Sequence, residues 1–243
     1  MTIDEYIEGH IDPEGDYLHR LYRATQIKLL YGRMASGHVQ GRLLKMLVEM
    51  IRPTNILEIG TFSGYSALCM AEGLKEGGMV HTVEIFDELE DFTRPWIEQS
   101  PWADRVTLHI GDALEVVPRL RLKFDMVFID GNKRIYPQYY ELAKQYINPG
   151  GFIVADNTLW DGHVVEDIDG MGHGHKDEQT RGVMEFNDIV AADTDVEKVI
   201  LPLRDGLTII RVKMGPPLIP PGGGRMPSGW NHSPLGEQGG GLK

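Results

Sequence analysis

The chain has 243 residues, of which 42% are hydrophobic, enough for one sizeable core and too few for two comfortable ones. Its formal net charge is -12, from 36 acidic and 24 basic side chains, which favours solubility and weighs against a large nucleic-acid footprint by repelling phosphates at long range. The one cysteine, Cys69, excludes an intramolecular disulfide framework and fits a reducing compartment.

Residues 1–12 are acidic and lack the basic and apolar regions of a secretion signal, so the expectation is a cytoplasmic protein. Residues 1–53 read as N-terminal helices. Leu18, Leu21, Tyr22 and Thr25 recur at steps of three and four, and Leu43, Leu44, Leu47, Val48 and Ile51 repeat the pattern up to Arg52-Pro53. Interrupted by Lys45 and Glu49, the stretch 43–51 is too short and too charged to span a bilayer, so no membrane partner is expected.

From residue 54 the pattern changes to short apolar runs at 55–59, 79–85, 106–110, 124–129 and 151–155. Helical segments fall between them at 64–76, 87–99, 113–120 and 134–147. A further helix over 178–192 leads to runs at 196–203 and 207–212, joined through the turn signal Asp205-Gly206. The fold class expected is α/β: a Rossmann-like, doubly wound, mostly parallel seven-stranded sheet with a C-terminal antiparallel hairpin strand and N-terminal helices. It forms a single domain over 1–213, with its core at 54–213. Residues 214–243 are rich in glycine and proline without any period, and read as a flexible tail.

Parallel sheets bind ligands at the C-terminal ends of their strands, so the residues there carry the functional reading. The first strand runs through Glu58 to Gly60 and continues Thr61-Phe62-Ser63-Gly64-Tyr65-Ser66 into a helix; the dinucleotide fingerprint is absent because its third glycine is missing. A nicotinamide dehydrogenase is thereby disfavoured. The second strand ends at Glu84, where a carboxylate can accept from both ribose hydroxyls, and the third at Gly111-Asp112-Ala113, beside where an adenine edge would lie. Each acidic residue alone reads better as a solvated strand end or helix cap; together they describe a nucleoside site.

The fourth strand ends Asp130-Gly131-Asn132-Lys133 and the fifth Asp156-Asn157. Asp130, Asp156 and Asn157 form an all-oxygen set that suits Mg²⁺, Ca²⁺ or another hard divalent cation rather than zinc. A helix cap or turn residue is the plainer reading of any one of them.

LEIGTFSGYSALCMAEGL, HTVEIFDE and GDALEVVPRL together resemble the cofactor site of class I S-adenosylmethionine-dependent O-methyltransferases, and the match is closest to the caffeoyl-CoA and catechol O-methyltransferase family. The similarity spans roughly residues 30 to 212. It implies that Gly60, Phe62 and Ser66 face the methionine part of the cofactor, Glu84 the ribose, and Asp112 and Ala113 the adenine. It also implies that Glu58 and Asp130 belong to the cofactor site. Arg33-Met34-Ala35-Ser36 resembles, more loosely, the segment that closes over the cofactor, bringing in Met34 and Ser36. The pattern D-x-x-K…D-N resembles the family's metal ligands Asp130, Asp156 and Asn157, with Lys133 matching its general base. The implied reaction is metal-assisted methylation of one hydroxyl of a small catechol-like aromatic. A homodimer is implied as well.

The alternative within the same family is methylation of a hydroxylated tRNA base, against which the acidic balance counts. A cofactor-binding protein that has lost its chemistry is opposed by the intact Asp130, Lys133, Asp156 and Asn157 set. Two departures stand out: Asn132 where relatives often carry an acid, and Arg204 where the family's L-P-x-G-D-G has glycine. Trp160 is read as a substrate-pocket wall or as ordinary packing. His163, His173 and His175 lie in a glycine-rich stretch without zinc-ligand spacing and read as loop.

Overall fold

The computed structural model describes residues 1–165 and 177–215; His173, His175 and tail residues 216–243 lie outside the described residues. Three helices come first: α1 (Ile3–Glu8), α2 (Asp16–Lys28) and α3 (Gly37–Ile51). Helices α2 and α3 bury residues of the stripes their sequence period predicts, Leu18, Leu21 and Thr25 on α2, and Leu44, Leu47 and Val48 on α3. The helical reading of residues 1–53 is interrupted at 9–15 and 29–36, where Gly15 and Tyr31 take positive φ and break the helical path.

The core follows as β1 (Asn55–Ile59), α4 (Tyr65–Gly73), β2 (Met79–Glu84), α5 (Glu90–Glu98), β3 (Val106–Ile110), α6 (Ala113–Leu120), β4 (Phe124–Ile129), α7 (Tyr136–Tyr146) and β5 (Ile147–Asp156). Then come α8 (Glu178–Ala192), β6 (Val196–Leu201) and β7 (Leu207–Val212). Among these, β1, β3, β4, α6, α8 and β7 have the expected bounds. Strand β5 starts four residues before the run at 151, because Ile147 already pairs with Phe124. The run at 196–203 stops at Leu201, since Leu203 belongs to the turn that Gly206 N–H closes on the Leu203 carbonyl at 2.9 Å.

The seven strands lie in the order β3-β2-β1-β4-β5-β7-β6, with β1 to β5 parallel and β7 antiparallel to both β5 and β6. Two apolar layers cover the sheet. One holds Leu18, Leu44 and Leu68 against Ile56, Met126 and Phe128; the other holds Tyr136, Val183 and Phe186 against Leu57, Val127 and Ile129. Successive residues of β1 and β4 thus serve opposite faces, as the pleat requires. The crossover direction reverses between β1 and β4, and that is where such sheets open a crevice.

Register then does something the sequence patterns leave open. Ile59 pairs with Val83 on one side and Ile129 on the other, and Ile129 pairs with Ala155. The next residues, Glu84, Gly60, Asp130 and Asp156, therefore stand in one row across four neighbouring strands.

Helix α8 closes the layer over the turn at Lys133–Ile135. At Gly182 a Cβ would lie 2.3 Å from the Lys133 carbonyl oxygen. Alanine in a helix interior normally gains up to about 1 kcal/mol over glycine. Here overpacking, typically about 1–3 kcal/mol, opposes that gain and wins because backbone cannot yield. Gly182→Ala is expected to lower the urea midpoint; a raised midpoint would show that α8 does not press on the Lys133 turn.

Candidate active site

The site grows from the turn after β1. Gly60 has φ +100, and a Cβ there would sit 2.4 Å from the Asp130 carbonyl oxygen, so only glycine lets β1 and β4 approach this closely. Asp130 N–H donates to the Ile59 carbonyl at 2.9 Å and extends the pairing to that level. The chain then turns through Phe62, itself left-handed at φ 48, and Gly64 into α4.

Glu84 holds this turn. Its Oε2 accepts from the amides of Thr61 (3.2 Å) and Phe62 (2.8 Å), and its Oε1 from that of Phe86 (3.0 Å). An ionised carboxylate has about four acceptor positions, so three are engaged and about one is left for a ligand hydroxyl. Asp112 is the N-cap of α6 and accepts from the Leu114 amide at 2.9 Å, with Ala113 buried behind it. The cap reading of Asp112 is thus correct for one of its oxygens.

Glu58 is fully buried. Thr82 donates to its Oε2 at 2.5 Å, the Ser66 hydroxyl lies beside the carboxyl group, and its Oε1 has no partner. Burial outweighs these hydroxyls, and the nearby Asp130 and Glu84 add repulsion, pushing the carboxyl up to about 8.

The second half of the site stands at the ends of β4 and β5. Lys133 Nζ donates to Asp130 Oδ1 at 2.7 Å and lies 5.3 Å from the centre of the Tyr136 ring. The 3-10 turn that carries Lys133 is capped by Asn132, whose Oδ1 accepts from the Arg134 amide. Asp156 is buried; its Oδ2 accepts from Gln40 Nε2 at 2.8 Å and its Oδ1 from the Asn157 amide at 2.9 Å. Burial first, and then the Asp130 carboxylate, push Asp156 above the usual carboxylate range. Asn157 is left-handed at φ 57, and its Nδ2 donates to Asp205 Oδ2 at 3.3 Å. That bond fixes which end of the amide, the oxygen, faces away from Asp205.

The expected residues Gly60, Phe62, Ser66, Glu58 and Glu84 thus form one cluster, and Asp130, Lys133, Asp156 and Asn157 a second that abuts it at Gly60. In the segment before α3, Ser36 is buried while Met34 is 56% exposed. Trp160 is half-buried and packs beside the layer that holds Tyr136 and Phe186. His163 is exposed. Among the described residues no three His, Cys, Asp or Glu side chains group as a metal cluster; the set here has two carboxylates and an amide.

Sequence reasoning missed Gln40, Tyr136 and Asp205. Gln40 had a signal: it lies four residues before Leu44, a polar side chain within the buried stripe of α3, and its Oε1 is buried without a partner. Tyr136 gave none; its hydroxyl donates to the carbonyls of Asp156 (3.0 Å) and Ile129 (3.4 Å), tying the two strand ends together.

Comparison with known proteins adds the chemical class. The sequence profile of a family described as O-methyltransferase matches residues 8–213. The catechol O-methyltransferase of Niastella koreensis is 31% identical over 224 residues, covering 87% of this chain and 97% of its own length. Tricin synthase 2 of Oryza sativa subsp. japonica is 31% identical, covering 86% and 74%. Among solved structures, the O-methyltransferase from Bacillus cereus in complex with SAH superposes with a TM-score of 0.77 at 31% identity, over 87% of this chain and 97% of that one. TomG from Streptomyces achromogenes, in complex with SAM, gives 0.78 at 30% identity, over 87% and 96%.

The buried Glu58 sets a pH signature. The folded protein keeps this proton up to about 8, whereas the unfolded chain releases it near the usual 4.5. Its contribution to stability is therefore full below the lower value and is lost as pH rises through the upper one. Glu58→Gln is expected to flatten that part of the melting-temperature profile of the cofactor-free protein. An unchanged slope would show that Glu58 is ionised in the fold.

Proposed function

The chain belongs to the O-methyltransferase family, and from that premise we propose that it moves a methyl group from S-adenosylmethionine to one hydroxyl of a small catechol-like aromatic, with a divalent metal and Lys133 as general base. What supports this reading is the row Glu84, Gly60, Asp130 and Asp156, which sets a nucleoside-type cluster directly beside an oxygen-rich one.

The cofactor is cationic at its sulfonium and its ammonium, and the upper edge of the sheet is acidic. Glu84 takes a ribose hydroxyl with its remaining acceptor position, Asp112 and Ala113 border the adenine, and Gly60, Phe62 and Ser66 line the methionine part. Ser36 and Met34 close over it. The donor set also fits a hard cation. Burial first, and then the Asp130 carboxylate, push Asp156 upward, a cost that a divalent ion relieves, and Asn157 adds an amide oxygen. Held by these three, Mg²⁺ or Ca²⁺ would supply Lewis acidity that lowers the pKa of an acceptor hydroxyl and weakens the grip of Asp130 on Lys133.

The chain's own residues do the rest. Lys133, in its free-amine form, receives the hydroxyl proton at Nζ as the oxygen attacks the sulfonium methyl; the O–C bond forms, the C–S bond breaks, the neutral thioether leaves, and the resulting ammonium passes its proton to solvent. Tyr136 keeps the ends of β4 and β5 at fixed separation, so that the oxygen and the methyl stay in line. Gln40 holds Asp156 from the other side. Trp160 borders the acceptor.

The test is release of S-adenosylhomocysteine from a catechol panel with Mg²⁺ or EDTA. Lys133→Ala is expected to lower kcat by about 10²–10⁴-fold with cofactor affinity kept, as loss of a general base does. Asp156→Ala is expected to abolish both Mg²⁺ binding and turnover. Gln40→Ala is expected to raise the Mg²⁺ concentration for half-maximal rate about tenfold, as loss of a ligand-orienting partner does. Turnover that survives EDTA, or Lys133→Ala at full rate, would overturn this mechanism.

A further inference from the structure

The turn between β6 and β7 holds an arginine where the backbone favours glycine. Arg204 has φ 49 and is the first central residue of the tight turn that Gly206 closes on Leu203. Its side chain reaches the N-terminal segment. Nη1 donates to the carbonyls of Ala35 (3.2 Å) and Ser36, and Nη2 donates to that of Arg33 at 3.3 Å. A planar guanidinium suits this task, because its five N–H groups fan out in fixed directions and can gather several carbonyls at once.

The other side of the same turn holds the segment after β5. The Asp205 carbonyl accepts from the amides of Leu159 (2.8 Å) and Trp160 (3.0 Å), and the Gly206 carbonyl from Thr158 at 3.1 Å. Asp205 Oδ2 accepts from Asn157 Nδ2. One short turn therefore grips both the residues beside the Asp156 cluster and those that lead into α3. That helix in turn delivers Gln40 to Asp156.

We propose that Arg204 is a positioning residue for the cofactor: it pins Arg33–Ser36 in the closed arrangement before the cofactor arrives, so that binding does not have to order the segment. The inference rests on the reading that Arg33–Ser36 lies over S-adenosylmethionine. A segment ordered in advance improves affinity rather than the chemical step. Arg204 touches carbonyls and not the reacting atoms, so its loss appears in KM for the cofactor and in its Kd, with kcat nearly kept.

Arg204→Gly separates this from a merely structural role, because glycine takes the turn's φ without strain while the three hydrogen bonds disappear. The expected result is a melting temperature equal to or above that of the parent and a Kd for S-adenosylmethionine weakened about tenfold, measured by calorimetry. Amide exchange at residues 33–38 of the cofactor-free protein is expected to speed up, and Arg204→Lys to fall between the two. Parental affinity in Arg204→Gly, with cofactor still protecting residues 33–38 in the parent, would overturn the clamp. So would a joint fall in melting temperature, affinity and kcat, the mark of general unfolding. If the cofactor gives the parent's 33–38 amides no protection, the underlying placement of that segment has failed instead, and the clamp with it.

Discussion

The close approach of β1 and β4 at Gly60 and Asp130 is the constraint on which the site depends. Any side chain at Gly60 would collide with the Asp130 carbonyl, and the turn beyond it needs positive φ at Phe62 and Gly64 as well. With that contact made, the glycine turn lies against the strand that carries Asp130 and, three residues on, Lys133. Under the proposed function, a methyl donor and an acceptor on these two strands would be held by one rigid piece of sheet. Distance and alignment are then set by folding, before either ligand arrives.

Four carboxylates share this small edge, and each is handled differently. Glu84 is satisfied by three backbone amides, Asp130 by Lys133, and Asp156 by Gln40 and its neighbour's amide, while Glu58, fully buried, keeps its proton. Low local dielectric makes the remaining negative potential strong. Such an edge favours ligands that bring positive charge, which is what a sulfonium cofactor and a divalent ion have in common. The strain of left-handed Phe62 and Asn157, of the order of 1–3 kcal/mol for each such non-glycine residue, is tolerated because Glu84 and Asp205 hold the two turns from outside.

The turn at 203–206 gives these parts a common anchor. It lies far in sequence from both segments it grips, yet it fixes Asn157 through Asp205 and the approach to α3 through Arg204. Arginine at 204 therefore adds these contacts while itself holding a positive φ.

Much of this was legible in the sequence. Apolar runs alternating with amphipathic helices determined the strands and their parallel pairing, and Gly60, Glu84, Asp112 and the D-x-x-K…D-N spacing marked the strand ends, because backbone permissiveness and charge are properties of single residues. The split roles were not legible. That Asp112 caps a helix, that Glu84 spends most of its acceptors on the turn, and that Glu58 is neutral all follow from burial and from which amides face each carboxylate. Nor did local patterns bring Gln40 and Arg204 to Asp156 and Ser36, since those meetings join segments far apart in the chain. Residue chemistry and period are written locally, so the sequence determined the elements and the candidate groups. Register, burial and long-range hydrogen bonding exist only once the layers have packed, and they decided which of those groups stand together and in what charge state.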